Sequence, residues 1–126
     1  MADEIKMTGS LNILDGFLRE SYSPGTISID MNSTAGAGGS QTIGGSYEAI
    51  AAGDTNDGGV YFFRNVNNSI DISIGIEHGG STFVAFLLLK PGEFSIGRLS
   101  SKTIFAKAQI TGSVSSADLQ YRLLSV

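Results

Sequence analysis

Cysteine and tryptophan are absent from this chain, proline occurs twice and histidine once. Without cysteine there is no disulfide framework, no thiol nucleophile, no thiolate zinc site and no iron–sulfur cluster. A lone histidine cannot build a usual zinc site. Charge is scarce too: 16% of residues are charged, and 8 basic against 12 acidic residues leave a net charge of −4. The basic residues Lys6, Arg19, Arg64, Lys90, Arg98, Lys102, Lys107 and Arg122 form no run. The clustered footprint of a nucleic-acid binder is therefore missing, and no nucleic-acid partner is expected. The longest apolar run, Phe83-Val84-Ala85-Phe86-Leu87-Leu88-Leu89, is too short to cross about 30 Å of hydrocarbon as a helix. It reads instead as a strand buried on both faces. The opening residues Met1-Ala2-Asp3-Glu4 carry no positive region leading into an apolar stretch, so no signal peptide and no membrane partner are expected. The chain is expected to be made and folded in a cytosol.

Glycine and serine are abundant, at 17 residues each. The 126 residues amount to one domain, residues 1–126, able to bury a core without metal or disulfide. Period-two alternation dominates. Ile5, Met7, Leu11 and Ile13 fall on odd positions between polar residues, with Gly9 marking a bulge. Ile27, Ile29 and Met31 alternate in the same way, as do Ile70, Ile72, Ile74 and Ile76. Further strands are expected over residues 60–66, 82–89, 94–99, 103–108 and 117–124. Asn67-Asn68, His78-Gly79-Gly80-Ser81 and Lys90-Pro91-Gly92-Glu93 have turn chemistry and predict three successive hairpins, a meander from residue 60 to 99. About eight strands at this spacing predict an all-β, single-domain antiparallel sandwich or small barrel. At most one short helix is expected, over residues 46–52. Residues 1–14 read as an N-terminal strand or arm, and residues 33–45 as a flexible Gly/Ser-rich loop.

No motif carries a chemistry. Gly36-Ala37-Gly38-Gly39-Ser40-Gln41 lacks the third glycine of a dinucleotide fingerprint and opens no βαβ unit. Asp54-Thr55-Asn56-Asp57-Gly58 has the look of a calcium loop, but Gly58 and Asn65 stand where the fifth and twelfth ligands belong. A turn projecting Asp54 and Asp57 into water is the simpler reading, with a weak cation site as its alternative. No serine occupies a Gly-x-Ser-x-Gly elbow beside His78. The expectation is a protein without catalytic residues, cofactor or metal.

Several segments together carry a resemblance. They are Gln41-Thr42-Ile43-Gly44, the run Tyr47-Glu48-Ala49-Ile50-Ala51-Ala52-Gly53-Asp54, Val60-Tyr61-Phe62-Phe63-Arg64-Asn65, Phe86-Leu87-Leu88-Leu89-Lys90-Pro91-Gly92-Glu93, Ile104-Phe105-Ala106-Lys107-Ala108 and Ala117-Asp118-Leu119-Gln120-Tyr121. Their order and spacing are similar to those of small β-rich virion structural proteins of tailed bacteriophages. The stretch 11–28, with Ser23-Pro24-Gly25, is similar to that group as well. The chain departs from the group at Asn65-Val66-Asn67-Asn68, where an Asp often follows a strand-ending Asn-Leu.

The resemblance implies a non-enzymatic particle component, and within that class a capsid decoration or cement protein. It implies the major capsid protein and further copies of this chain as partners, a trimer above all, and the capsid surface as its place after synthesis in the bacterial host cytoplasm. Ile5, Met7, Leu11 and Ile13 are the expected oligomer or capsid interface, because a terminal strand is exchanged with a neighbour at low cost. The alternative is a tail, neck or fibre-associated module that contacts host glycans, with Tyr22, Tyr47 and Tyr61 as stacking platforms.

Overall fold

A computed structural model describes residues 4–31, 34–112 and 114–126. The chain forms two compact units, residues 1–32 and 33–126. Among the described residues every regular element is a strand.

The first unit is a β-hairpin of β1 (Ile5–Asp15) and β2 (Leu18–Ile29), paired antiparallel. Gly16, at φ 58°, supplies the left-handed backbone of the turn. The bulge expected at Gly9 is present: the register shifts between Gly9 and Leu11, leaving Ser10, Ser23 and Pro24 unpaired. A proline inside a strand survives at such a bulge because no ladder hydrogen bond is asked of it. The N-terminal arm thus reaches well beyond the expected residues 1–14. It is a ribbon, because β2 pairs with it from Leu18 to Ile29, its alternation changing phase at the Ser23-Pro24 bulge.

The second unit is a sandwich of two four-stranded antiparallel sheets. One sheet has the order β3 (Gly36–Ile43), β10 (Ala117–Leu124), β5 (Val60–Asn65), β8 (Phe94–Arg98). The other has the order β4 (Glu48–Ala49), β9 (Phe105–Ala108), β6 (Ile72–His78), β7 (Thr82–Leu89). The core lies between them: Ile43, Phe63, Leu119, Tyr121 and Leu123 from the first sheet meet Ile72, Ile74, Leu89, Ala106 and Ala108 from the second. Neither sheet closes into a barrel.

This strand order has a simple origin. β5 with β6 and β7 with β8 make one long antiparallel ribbon, folded so that each half lies in a different sheet. β3 with β4 and β9 with β10 make a second ribbon folded the same way. Two folded ribbons in this order are a jelly roll. The expected meander is therefore corrected. Of the three expected hairpins the structure has one, β6–β7; the Asn67 and Pro91 segments carry the chain from one sheet to the other.

Asn65, fully buried, explains why the chain bends there. Its Nδ2 donates to the carbonyls of Ile70 (2.6 Å) and Leu89 (2.9 Å). Its Oδ1 accepts from the backbone N–H (3.0 Å) and Nδ2 (2.8 Å) of Asn67. Its own N–H donates to the Glu93 carbonyl, and its own carbonyl accepts from Gly92 N–H. All four side-chain hydrogen-bonding positions are used. Asn67 then holds β10, donating to the Asp118 carbonyl (2.9 Å) and accepting from Asp118 N–H (3.1 Å). The opposite side of the sandwich is tied by Gln41 of β3. Its amide donates to the Ala49 carbonyl (2.9 Å) and accepts from Ala51 N–H (3.0 Å).

Two further expectations change. Within the expected loop 33–45, Ser33 lies outside the described residues, and Gly36–Ile43 is the edge strand β3. The glycines permit this strand. A Cβ on Gly38 would sit 2.7 Å from Arg122 Cδ, and one on Gly36 would sit 2.8 Å from the Leu123 carbonyl oxygen. The run 83–89 is not buried on both faces; β7 is an edge strand, with Val84 45%, Phe86 50% and Leu88 51% exposed.

Replacing Asn65 by Leu keeps the branched shape and removes all four side-chain bonds that Asn65 makes. The unfolding free energy should fall by about 3 kcal/mol or more, since the Ile70 and Leu89 carbonyls lose their partners. Urea denaturation measures it, and an unchanged midpoint would show that the backbone alone sets the corner.

Candidate interaction surfaces

Asp57, weighed for a weak cation site, and His78, the lone histidine, take part in loop and turn structure. Asp57 accepts a hydrogen bond from Lys102 N–H at 2.8 Å, which ties its loop to the segment before β9. His78 ends β6 and is exposed, and its carbonyl accepts from Ser81 N–H. Among the described residues, no group of three or more His, Asp or Glu side chains is placed to hold a metal ion. No helix there is long and apolar enough to cross a membrane.

The three tyrosines separate. Tyr61 stacks on Phe63 at 4.8 Å and exchanges a hydrogen bond with Ser95 at 2.9 Å, so it serves the sheet. Tyr47 stacks on Phe83 at 5.4 Å and meets Phe105 edge-on at 5.7 Å. Packing against these rings, and then the hydrogen bond and negative charge of Glu77, push the Tyr47 phenol above its usual range. Tyr22 alone remains a platform: it is 54% exposed, with its hydroxyl donating to Glu20 at 2.9 Å.

The expected interface residues all lie on β1, and the structure treats them unequally. Ile5 is buried, Met7 and Ile13 are half-buried, and Leu11 is 57% exposed. Their strand is already paired with β2 along its length, so the element available to a neighbour is the whole hairpin, not a lone strand. The register sets Leu11 opposite Tyr22, Ile13 opposite Glu20 and Asp15 opposite Leu18, on one face. Asn12 opposite Ser21 and Leu14 opposite Arg19 form the other. Sequence reading missed Phe17 at the tip, fully exposed, and Leu18, 50% exposed. The signal was the period-two run Leu18, Glu20, Tyr22 after a glycine turn. A two-stranded ribbon has no third layer with which to cover such side chains.

The second surface is the β7 edge. It bears no charged residue, and an unguarded edge of this kind is where another chain adds. A bulge at Phe86 interrupts its ladder. It forces a close approach at Gly75, where a Cβ would lie 2.2 Å from the Val84 carbonyl oxygen.

The third surface is the outer face of the β3-β10-β5-β8 sheet. Strand register brings Phe94, Arg64, Gln120 and Ser40 into one cross-strand row, and Ile96, Phe62, Arg122 and Gly38 into the next. Phe62 and Phe94 stack at 6.3 Å. A shallow depression of about 470 Å3 lies between Phe62, Val66, Gln120 and Arg122. The scatter of arginines along the sequence concealed this face.

No family model, curated protein or solved structure matches this chain.

The raised Tyr47 pKa fixes a sign. The folded state holds that proton more tightly than the unfolded chain does. Its contribution is full below about pH 10, the unfolded phenol's value, and is lost as pH rises through the folded one. Tyr47→Phe should therefore abolish one tyrosinate absorbance step above that value and flatten the alkaline fall in stability. An unchanged titration would show that the Tyr47 phenol does not titrate above the usual range.

Proposed function

We propose that this chain is a non-enzymatic structural protein of a tailed-bacteriophage virion, a decoration protein that binds the outer surface of the assembled major-capsid-protein shell as a homo-oligomer. The observation that carries the reading is uncovered apolar surface on each of the two units: on the first the hairpin, with Leu11, Phe17, Leu18 and Tyr22, and on the second the β7 edge, with Val84, Phe86 and Leu88. Scattered surface apolars need no explanation, but grouped ones mark interfaces. Two such surfaces suit a part that touches both its own copies and a shell. The jelly roll supports the reading by analogy, since viral capsid domains use it. Lectin domains use it too, and with the exposed Tyr22 this favours, as a second reading, a tail, neck or fibre module that binds host glycans.

A shell offers many symmetric sites. Contacts worth little singly, after association costs, become durable when each oligomer engages several subunits. The protein should therefore bind assembled shells far more tightly than free capsid subunits, as measured by co-sedimentation. Equal binding to both would overturn the proposal. On a stained gel of purified particles its abundance should approach that of the capsid protein; a scarce band assigns it to the tail. Phe86→Asp with Leu88→Lys should lower shell affinity about tenfold or more, given about 1.5–3 kcal/mol for a buried Phe or Leu side chain.

A further inference from the structure

We infer that the outer face of the β3-β10-β5-β8 sheet is the seat of the N-terminal hairpin of a second copy of this chain. It rests on the homo-oligomer of the decoration reading and names how its copies join; shell binding tests that reading separately, and an oligomer that forms through another surface sinks this inference alone.

The argument is one of charge and spacing. On the sheet, Gln120 pairs with Arg64 and Arg122 with Phe62. Arg64 and Arg122 are therefore diagonal neighbours, with Phe62 and Gln120 at the other two corners. On the hairpin, Glu20 pairs with Ile13 and Asp15 with Leu18. Glu20 and Asp15 are likewise diagonal neighbours, with Ile13 and Leu18 at the other corners. Both patterns are drawn on the same pleat, where diagonal positions lie about 7–8 Å apart. The strand positions that carry the two cations thus match those that carry the two anions in separation, and the long, exposed arginine side chains supply the remaining reach.

On the hairpin the signs are segregated by face, and on the sheet face two arginines stand against one acid, Asp118. The hairpin's own cations, Lys6 and Arg19, lie opposite Ser28 and Leu14, on the face away from Glu20 and Asp15. On the sheet, the acid of that face, Asp118, already accepts from Thr42 Oγ1 at 3.1 Å. Arg64 and Arg122 are exposed, and among the described residues neither has a carboxylate in ion-pairing reach. The apolar parts fit as well. Leu11, Leu18 and Tyr22 need cover, and the sheet offers the Phe62–Phe94 stack beside Ile96. A nucleic-acid strand would find arginines and aromatics here, but it would leave the acidic apolar hairpin without a partner.

The test uses charge reversal in the full-length chain. By light scattering after gel filtration at micromolar concentration, the wild type should be oligomeric. Arg64→Glu with Arg122→Glu, and separately Asp15→Arg with Glu20→Arg, should each weaken assembly at least tenfold, and an equimolar mixture of the two variants should restore it. A monomeric wild type, or variants that assemble undiminished, would overturn the proposal. A second measurement does not depend on those variants folding. The chain has no cysteine, so Leu18→Cys gives a single attachment point for a benzophenone cross-linker. Cross-links between isotopically distinct copies should fall on peptides containing Phe62–Arg64, Phe94–Ile96 or Gln120–Arg122. Cross-links confined to β7 or to the partner hairpin would overturn it. So would oligothymidine binding, abolished by Arg64→Glu with Arg122→Glu, while the oligomer persists.

Discussion

The sandwich depends on one buried amide. A ribbon that passes from one sheet to the next must break its ladder at the corner, and the backbone groups freed there cannot reach water. Asn65 takes up the Ile70 and Leu89 carbonyls with its two amide protons, and its oxygen takes up two donors of Asn67. A leucine of similar size would fill the space and leave those groups bare, which is why a polar residue stands in the core. Gln41 performs a related service across the other edge. The two amides tie the two sheets together at opposite sides, while apolar packing between them supplies the bulk of the stability.

Close approach is the second constraint. The bulge that interrupts β7 brings the Val84 carbonyl over Gly75, and the Arg122 side chain lies against Gly36 and Gly38 of β3. Glycine here leaves room for a neighbour's backbone or stem. The same features shape the outside. The bulge interrupts an otherwise continuous apolar edge, and the glycine strand leaves room for the Arg122 stem to lie over β3, with the residue still exposed.

The surfaces have a common logic. The hairpin separates its charges by face, the sheet carries arginines among aromatics, and β7 carries no charge. In the proposed reading the hairpin and the sheet face are assigned to each other, between copies, and β7 to the shell. Specificity between such neighbours comes from where charges are placed; durability comes from the number of contacts made at once.

Sequence alone determined the all-β class and most of the strands. Thr82–Leu89 and Ala117–Leu124 could be bounded from the alternation and its turn residues, because side-chain period and turn chemistry are local properties. The bulge at Gly9 and the amphipathic character of β1 were legible for the same reason. Only the tertiary structure decided which strands share a sheet. Asn67-Asn68 looks the same whether it closes a hairpin or turns a ribbon around a corner; the difference lies in Asn65, Leu89 and Asp118, distant in sequence. Likewise a run such as 83–89 cannot report whether a third strand covers it, and Arg64 and Arg122 become neighbours only through the pairing of β5 with β10. Burial, adjacency and the sign of a surface are long-range facts, set by how the ribbons fold.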